Sequence, residues 1–232
     1  MKKKLTALQV ERLFEFTREH FVEHYDLQSE LADHLANAIE ARWEHNPEID
    51  FDEALQAEFK KFGIFGFSDI IEKRQKTLTK KYYRLLWGYF KNFFRLPQVF
   101  GSITAILAFY KVIQLWPYVY IALLFGIMVF SIVKFFIMNK KYHSRIKRAK
   151  QRWLLEDIIF SCGGMGFLLY LPIQINIDFF DTMKANPLQS WLLAVFLVLL
   201  LLYQYTVLYI LPSKAQKHLK ETYPEYSISR IA

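Results

Sequence analysis

The sequence has a single cysteine, Cys162, so an intramolecular disulfide is excluded. It has no phosphate-binding glycine-rich loop, no nucleophile elbow and no Cys/His metal-ligand spacing. His20 and His24 lie four residues apart, but Phe21 stands where a zincin helix carries its glutamate, so solvated or capping histidines are expected. The sequence therefore predicts no cofactor and no metal, and it favours a non-enzymatic protein.

A cleaved signal peptide is also missing from the pattern. The start, Met1 to Lys4, resembles a basic n-region, but charged residues follow it where an apolar run would have to begin.

What the chain does have is 53% hydrophobic and 18% aromatic residues beside 22% charged residues. These are separated along the chain, because residues 1–95 are charged whereas 97–138 and 155–211 are largely apolar. This division predicts an all-α membrane protein with a small cytoplasmic helical domain.

The cytoplasmic domain is predicted at residues 1–80, with four helices. The first is expected over about 5–24 and the second over about 28–45, where apolar residues recur every four positions. Asp50 is expected to cap a third helix that stops at Gly63, and Ser68 to cap a fourth.

The order of these elements carries a family resemblance. The segments 30–35, 38–40, 51–55 and 59–63, which read ELADHL, AIE, FDEAL and FKKFG, resemble the HAAS family, the helix-turn-helix-associated α-helical signalling domain. The resemblance covers roughly residues 10–75. It implies a small helical domain in front of transmembrane helices in a bacterial protein, with a PadR-like transcriptional regulator as the partner. The aromatic ending GIFGF at 63–67 departs from the more polar turn common in that family.

The membrane part is predicted to begin with an amphipathic linker helix at residues 81–96, lying in the lipid headgroup layer. Its aromatic and basic residues could instead suggest nucleic-acid binding, but an apolar span follows at once, so no direct contact with nucleic acid is expected. The remaining residues, 97–232, predict a four-helix transmembrane bundle, because each apolar stretch approaches the ~20 residues needed to cross a bilayer. The four spans are expected at about 98–116, 118–138, 155–175 and 188–211.

Lysines and arginines set the expected orientation of these spans. They crowd the flank before the first span, the middle loop and the C-terminal tail, whereas the turn at 115–117 has none and the 176–187 loop has only Lys184. The positive-inside rule then places both termini and the middle loop in the cytoplasm of a bacterial inner-membrane protein. Small residues spaced by four, such as Ala122 with Gly126 and Cys162 with Gly166, predict close helix contacts within the bundle. A homo-oligomeric interface is the alternative.

Three groups of candidate functional residues follow from this arrangement. The helical domain would recognise its partner by placing a helix face in a groove, although the same apolar residues could form the core instead. The partner-binding candidates are Leu31, Leu35, Trp43, Phe62, Phe65 and Phe67; the membrane-interface candidates are Arg84, Trp87, Lys91, Arg95 and Trp153; the intramembrane polar candidates are Lys111, Glu156, Asp157 and Gln204.

Taken together, these patterns predict a non-enzymatic inner-membrane signalling or regulatory protein that presents its helical domain to a cytoplasmic partner. The alternative is a small transport or permease-like subunit that uses the intramembrane polar residues. A membrane enzyme acting on lipids is a third, weaker interpretation.

Overall fold

The computed structural model describes residues 3–149, 151–161 and 186–227, and within these ranges the chain forms helices and no strand. We number the α-helices in chain order. They are α1 (Ala7–Glu19), α2 (Tyr25–His45), α3 (Phe51–Lys60), α4 (Ser68–Asn92), α5 (Gln98–Leu115), α6 (Val119–Ala149), α7 (Leu154–Phe160), α8 (Pro187–Tyr205) and α9 (Leu211–Thr222), with a π-helical segment at Thr206–Ile210 and a 3-10 turn at Pro224–Ser227.

Local sequence explains where the first helices begin and end. Thr6 and Gln9 form a reciprocal capping box at the start of α1. Asp50 caps α3 by accepting a hydrogen bond from the backbone N–H of Asp52, as predicted. Gly63 follows α3 with a φ of 77°, a left-handed conformation that glycine adopts without steric cost, so the predicted helix stop is confirmed.

Two of the predicted helix boundaries differ from those observed. The first helix ends at Glu19 rather than near His24, and Phe21 then adopts a φ of 62°. The linker helix predicted at 81–96 is the second half of α4, which runs without a break from Ser68 to Asn92. Nothing in that stretch stops a helix, because its one glycine, Gly88, is tolerated in a helix interior and the first proline is Pro97.

The chain divides into two compact units. The first unit consists of Met1–Thr79 and Ile146–Asp157, and the second consists of Lys80–Arg145 and Ile158–Ala232. The sequence prediction had placed residues 146–157 in the membrane part, as the end of its basic loop and the start of its third span. They instead pack with the N-terminal helices.

The core of the first unit is the apolar stripe of α2. Leu31, Leu35, Ile39 and Trp43 are each at most 2% exposed. They pack with apolar residues of α1 and α3, including Leu13, Phe16, Ala54 and Leu55. Burying one such aliphatic side chain stabilises a fold by about 1.5–3 kcal/mol, so this stripe holds the unit together. The stripe therefore forms the interior, which resolves the choice between core and docking surface that the sequence left open.

Glu58 is a buried charge in the first unit. Its carboxylate accepts hydrogen bonds from Arg42 Nε and Lys61 Nζ, each at 2.8 Å, so it joins α3 to α2. Burial alone would raise the pKa of Glu58, but the hydrogen bonds and positive charges of Lys61 and Arg42 outweigh burial and leave its pKa below the usual value. Glu58 is therefore ionised at neutral pH and compensated on both sides.

Among the described residues, three helices are long and apolar enough to cross a membrane: Gln98–Leu115, Val119–Ala149, whose last four residues belong to the first unit, and the continuous helix Pro187–Thr222. They meet around a buried cluster that includes Ile113 of α5, Tyr120 of α6 and Leu197 of α8. Three of the four predicted spans thus correspond to helices of suitable length and composition. The predicted third span, at about 155–175, lies mostly outside the described residues.

The sequence predicted that the last span ends at Leu211, but the helix continues past it. A π-helical segment just before Pro212 lets the helix accommodate the proline. Proline has no N–H to donate and its ring clashes with the carbonyl four residues earlier. At Thr206–Ile210 the helix widens to π geometry, and Thr206 donates its hydroxyl to the carbonyl of Leu202 at 2.8 Å. The helix therefore passes the proline and runs on to Thr222.

Candidate functional site

Four consecutive residues at the start of α2, Glu23 to Asp26, contact the segment 152–157; we call this contact the clasp. The backbone N–H of Tyr25 donates to the carbonyl of Arg152 at 2.8 Å. The carboxylate of Asp26 accepts from the backbone N–H of Leu154 at 3.0 Å. Because Leu154 begins α7, Asp26 acts as an N-cap supplied from a distant part of the chain, and its negative charge faces the positive end of that helix.

Charged side chains extend the clasp. Arg152 donates to Glu23 through Nη1 and to Asp157 through Nη2, the latter at 2.7 Å. His24 Nε2 lies 2.8 Å from the same oxygen of Asp157. These side chains are one-sixth to two-thirds exposed, so screening by solvent makes each pair weak, and their main contribution is to fix the register of the two segments.

The clasp contains three residues that the sequence had predicted in or at the membrane. Trp153 is only 3% exposed, and its ring packs at a 5.3 Å centroid distance against Tyr25, so it contributes to packing rather than to a lipid-facing surface. Glu156 is buried, and Asp157 pairs with Arg152 and His24. All three belong to the first unit.

Aromatic rings join the end of α1 to the turn between α3 and α4. The ring of His20 lies 4.3 Å from that of Phe59 and 5.9 Å from that of Phe67, and Phe62 lies 5.0 Å from Phe67. Phe67 is 2% exposed and Phe62 is half-buried. Of the predicted partner-binding residues, Leu31, Leu35, Trp43 and Phe67 are thus interior, whereas Phe65 is not.

Three apolar side chains project from the two connections that meet at this cluster. Phe21 is 89% exposed, Ile64 is 93% exposed and Phe65 is 66% exposed. Both connections rest on Phe59, since His20 packs on its ring and a Cβ built on Gly66 would lie 3.1 Å from its Cζ atom. We call Phe21, Ile64 and Phe65 the apolar tip. Sequence reasoning had proposed Phe65 and the turn that contains Ile64, but not Phe21.

The remaining predicted membrane-interface residues lie on or just after α4 in the second unit. Trp87 is 55% exposed, and the ammonium of Lys91 stands 5.3 Å from its ring centroid, a cation–π contact. Arg84 and Arg95 are exposed. This face suits the headgroup layer for which it was predicted, with rings and cations side by side.

The other two intramembrane polar candidates have separate surroundings within the second unit. Lys111 is exposed on α5. Gln204 is buried on α8 and accepts a hydrogen bond from the hydroxyl of Ser131 on α6. An interhelical hydrogen bond of this kind is worth about 1 kcal/mol in a membrane, so Gln204 joins two helices.

A second polar contact that the sequence did not indicate joins α4 to α9. The hydroxyl of Tyr89 lies 2.9 Å from Nε2 of His218, whose Nδ1 lies 3.1 Å from a carboxylate oxygen of Glu221. Burial, and then the negative charge of Glu221, raise the pKa of Tyr89. Hydrophobic periodicity could not reveal this pairing, because it depends on a tertiary contact between two residues that lie 129 positions apart in the sequence.

No family model, no curated protein and no solved structure matches the chain.

Proposed function

We propose that this protein is a non-enzymatic regulatory protein of the bacterial inner membrane, which presents its first unit to a cytoplasmic protein partner. Four membrane spans would anchor it: the three suitable helices, and a span formed by the part of the predicted 155–175 stretch that follows Asp157. The first unit would be the small cytoplasmic domain. The partner implied by the HAAS resemblance is a PadR-like transcriptional regulator.

The observation that carries this proposal is the apolar tip. Soluble proteins rarely leave large apolar side chains clustered in water, and such patches commonly mark interaction sites. The tip consists of two aromatic rings and an isoleucine on two connections that both contact the ring of Phe59. Aromatic anchors on a rigid support are typical of the residues that dominate protein–protein affinity.

Basic residues near the tip indicate which charge the partner's surface should carry. Arg18 lies three residues before Phe21, and Lys60 ends α3 shortly before Ile64; both are exposed. An apolar pocket with an acidic rim would complement this arrangement, since opposite charges at a rim speed association and fix orientation.

Site-specific photo-crosslinking tests the proposal. The full-length chain would carry p-benzoylphenylalanine at Phe65 and be irradiated in membranes of the bacterium that encodes it. We expect one adduct larger than the chain by the mass of a small regulator, which mass spectrometry then identifies. Substituting Ile64→Asp in the same chain should remove the adduct, because a charged side chain cannot enter an apolar pocket.

Leu8 provides the matched control position, because it is 78% exposed and apolar but lies at the opposite end of α1. The photoreactive residue at Leu8 should give no protein adduct. Equal protein adducts from both positions, or adducts with lipid alone at Phe65, would contradict a docking role for the tip.

Orientation is tested separately. A periplasm-dependent reporter enzyme fused after Asp181 should be active, whereas the same reporter fused after Ser227 should be inactive, as the lysine and arginine distribution requires. Activity of the Ser227 fusion would place the C-terminus outside and refute the topology without bearing on the tip.

A further inference from the structure

The second unit contains a groove of about 420 Å³ between α6 and the C-terminal half of α8. One wall is a stripe of α6 residues spaced by four, Ala122, Gly126 and Phe130. The other includes Gln204 and, in the π-helical segment, Tyr209. Its volume is within the range of about 300–1,000 Å³ seen for small-molecule sites, and its lining is mainly apolar.

Gly126 leaves the middle of this groove open. A Cβ built on it would meet no heavy atom within 4 Å, so the backbone of no other described helix approaches here. The sequence predicted a close helix contact at Ala122 and Gly126, which stays a prediction, because most of the predicted third span lies outside the described residues. Phe130 is 54% exposed, so the groove opens sideways, toward the region where lipid would lie.

A cation stands at one end of the stripe. Lys134 follows Phe130 by four residues on α6, and its ammonium lies 4.4 Å from the ring centroid of Tyr209. No acidic residue occurs in the sequence between Glu72 and Glu156, so neither α5 nor α6 offers Lys134 a carboxylate. A cation within an apolar span is costly without a counter-charge, and the face of one ring compensates it only in part.

The length of the stripe matches a lipid chain. At 1.5 Å per residue, Ala122 lies about 18 Å along α6 from Lys134. One leaflet of the hydrocarbon core is about 15 Å thick, half of the ~30 Å bilayer core. A lipid whose phosphate is near Lys134 would therefore lay one acyl chain along the groove as far as Gly126, which is about 12 Å along α6 from Lys134.

We propose that the groove binds one anionic phospholipid, with an acyl chain against Gly126 and the phosphate paired with Lys134. The charge selects this occupant, because a phosphate supplies the anion that α5 and α6 lack. Gln204 and Tyr209 lie on the wall opposite Gly126 and complete the site. The site is independent of the apolar tip in the first unit.

Native mass spectrometry of the full chain tests this site. The protein would be titrated with phosphatidylglycerol and, separately, with phosphatidylcholine, and the bound lipids counted. We expect one phosphatidylglycerol to bind more tightly than phosphatidylcholine. Lys134→Gln should weaken phosphatidylglycerol binding roughly fivefold, the contribution of one lysine near a membrane surface, while Lys134→Arg retains it. Gly126→Leu should abolish the site by filling the groove, since a Cβ at this position meets open space.

The chain supplies two matched controls on α5. A Cβ added at Gly101 would also meet open space, and Lys111 is the lysine of that span, so Gly101→Leu and Lys111→Gln should leave binding unchanged. Equal binding of the two lipids, or equal losses in the control variants, would overturn the proposal. So would a Gly126 photo-crosslinking variant, with p-benzoylphenylalanine, that forms protein dimers or internal adducts and no lipid adduct.

Discussion

The carboxylate of Asp26 accepts a hydrogen bond at 3.0 Å from the backbone N–H of Leu154, which lies 128 residues further along the chain. Asp26 is 7% exposed and Leu154 is 4% exposed, so water does not compete freely for this contact. Helix α7 therefore takes its N-cap from α2, and the start of α7 is stable only while the first unit is folded around it.

Removing the cap should loosen the clasp. We expect Asp26→Ala to destabilise residues 152–157 by about 1 kcal/mol, the usual loss for an N-cap, and so to speed their amide hydrogen exchange roughly fivefold. Asp26→Asn keeps an acceptor oxygen and should lose less. Hydrogen–deuterium exchange of the full chain in detergent measures both.

Asp33→Ala on the exposed face of α2 is the control, and it should leave exchange at 152–157 unchanged. If Asp26→Ala and Asp33→Ala gave the same exchange rates there, the cap would have no energetic role.

Arg152 should resist its most conservative replacement. Its guanidinium reaches Glu23 and Asp157 through two different nitrogens, whereas the single ammonium of lysine cannot reproduce that fork. We expect Arg152→Lys to raise exchange at the clasp, though by less than Asp26→Ala, because the ion pairs are partly exposed. Arg148→Lys, an exposed cation on α6, is the control and should have no effect.

Much of the first unit could be predicted because its signals are local. The cap at Asp50, the stop at Gly63 and the four-residue stripe through Leu35 each depend on residues within one or two turns. The early end of α1 could not be predicted. The left-handed residue after it is Phe21, whereas glycine or asparagine normally occupies such a position.

The clasp and the groove were beyond the sequence for a different reason. Asp157 appeared to begin a membrane span because apolar residues follow it, and its partners His24 and Arg152 are set by tertiary contacts. The small residues Ala122 and Gly126 predicted helix packing and did not indicate the groove that they line among the described residues. Hydrophobic periodicity shows that a residue faces a neighbour or a void, but it does not distinguish the two.

Glu58 should make the first unit sensitive to acid. Its pKa is lowered in the folded state from an ordinary value of 4.5, so its contribution is complete above that pH and is lost as the pH falls through the lowered pKa. At neutral pH, Glu58→Gln should destabilise the unit by about 1–2 kcal/mol, toward the low end for charged hydrogen bonds because Lys61 is largely exposed. Exchange in α3, corrected for intrinsic rates, should show the difference shrinking below pH 4.5.

Glu48→Gln, which alters an exposed carboxylate in the α2–α3 connection, is the matched control. It should behave as the unmodified chain at every pH. A loss in Glu58→Gln that stayed constant down to the lowest pH tested would mean that shape, and not charge, accounts for the role of Glu58.

Replacing Phe21 should stabilise the first unit and weaken its contact with the partner. At a φ of 62° a residue with a Cβ is strained by about 1–2 kcal/mol, and asparagine tolerates this conformation better than phenylalanine. Because Phe21 is 89% exposed, replacing it removes little burial, so Phe21→Asn should stabilise the first unit by roughly 0.5–1 kcal/mol. Slower exchange in α1 and α2 would report the gain.

The same variant should weaken the protein adduct formed from position 65, since one anchor of the tip is gone. Leu8→Asn, an exposed substitution within α1, should give neither effect. A Phe21→Asn chain that is no more stable would show that the turn is not strained, and a stabilised chain with an undiminished adduct would remove Phe21 from the docking surface.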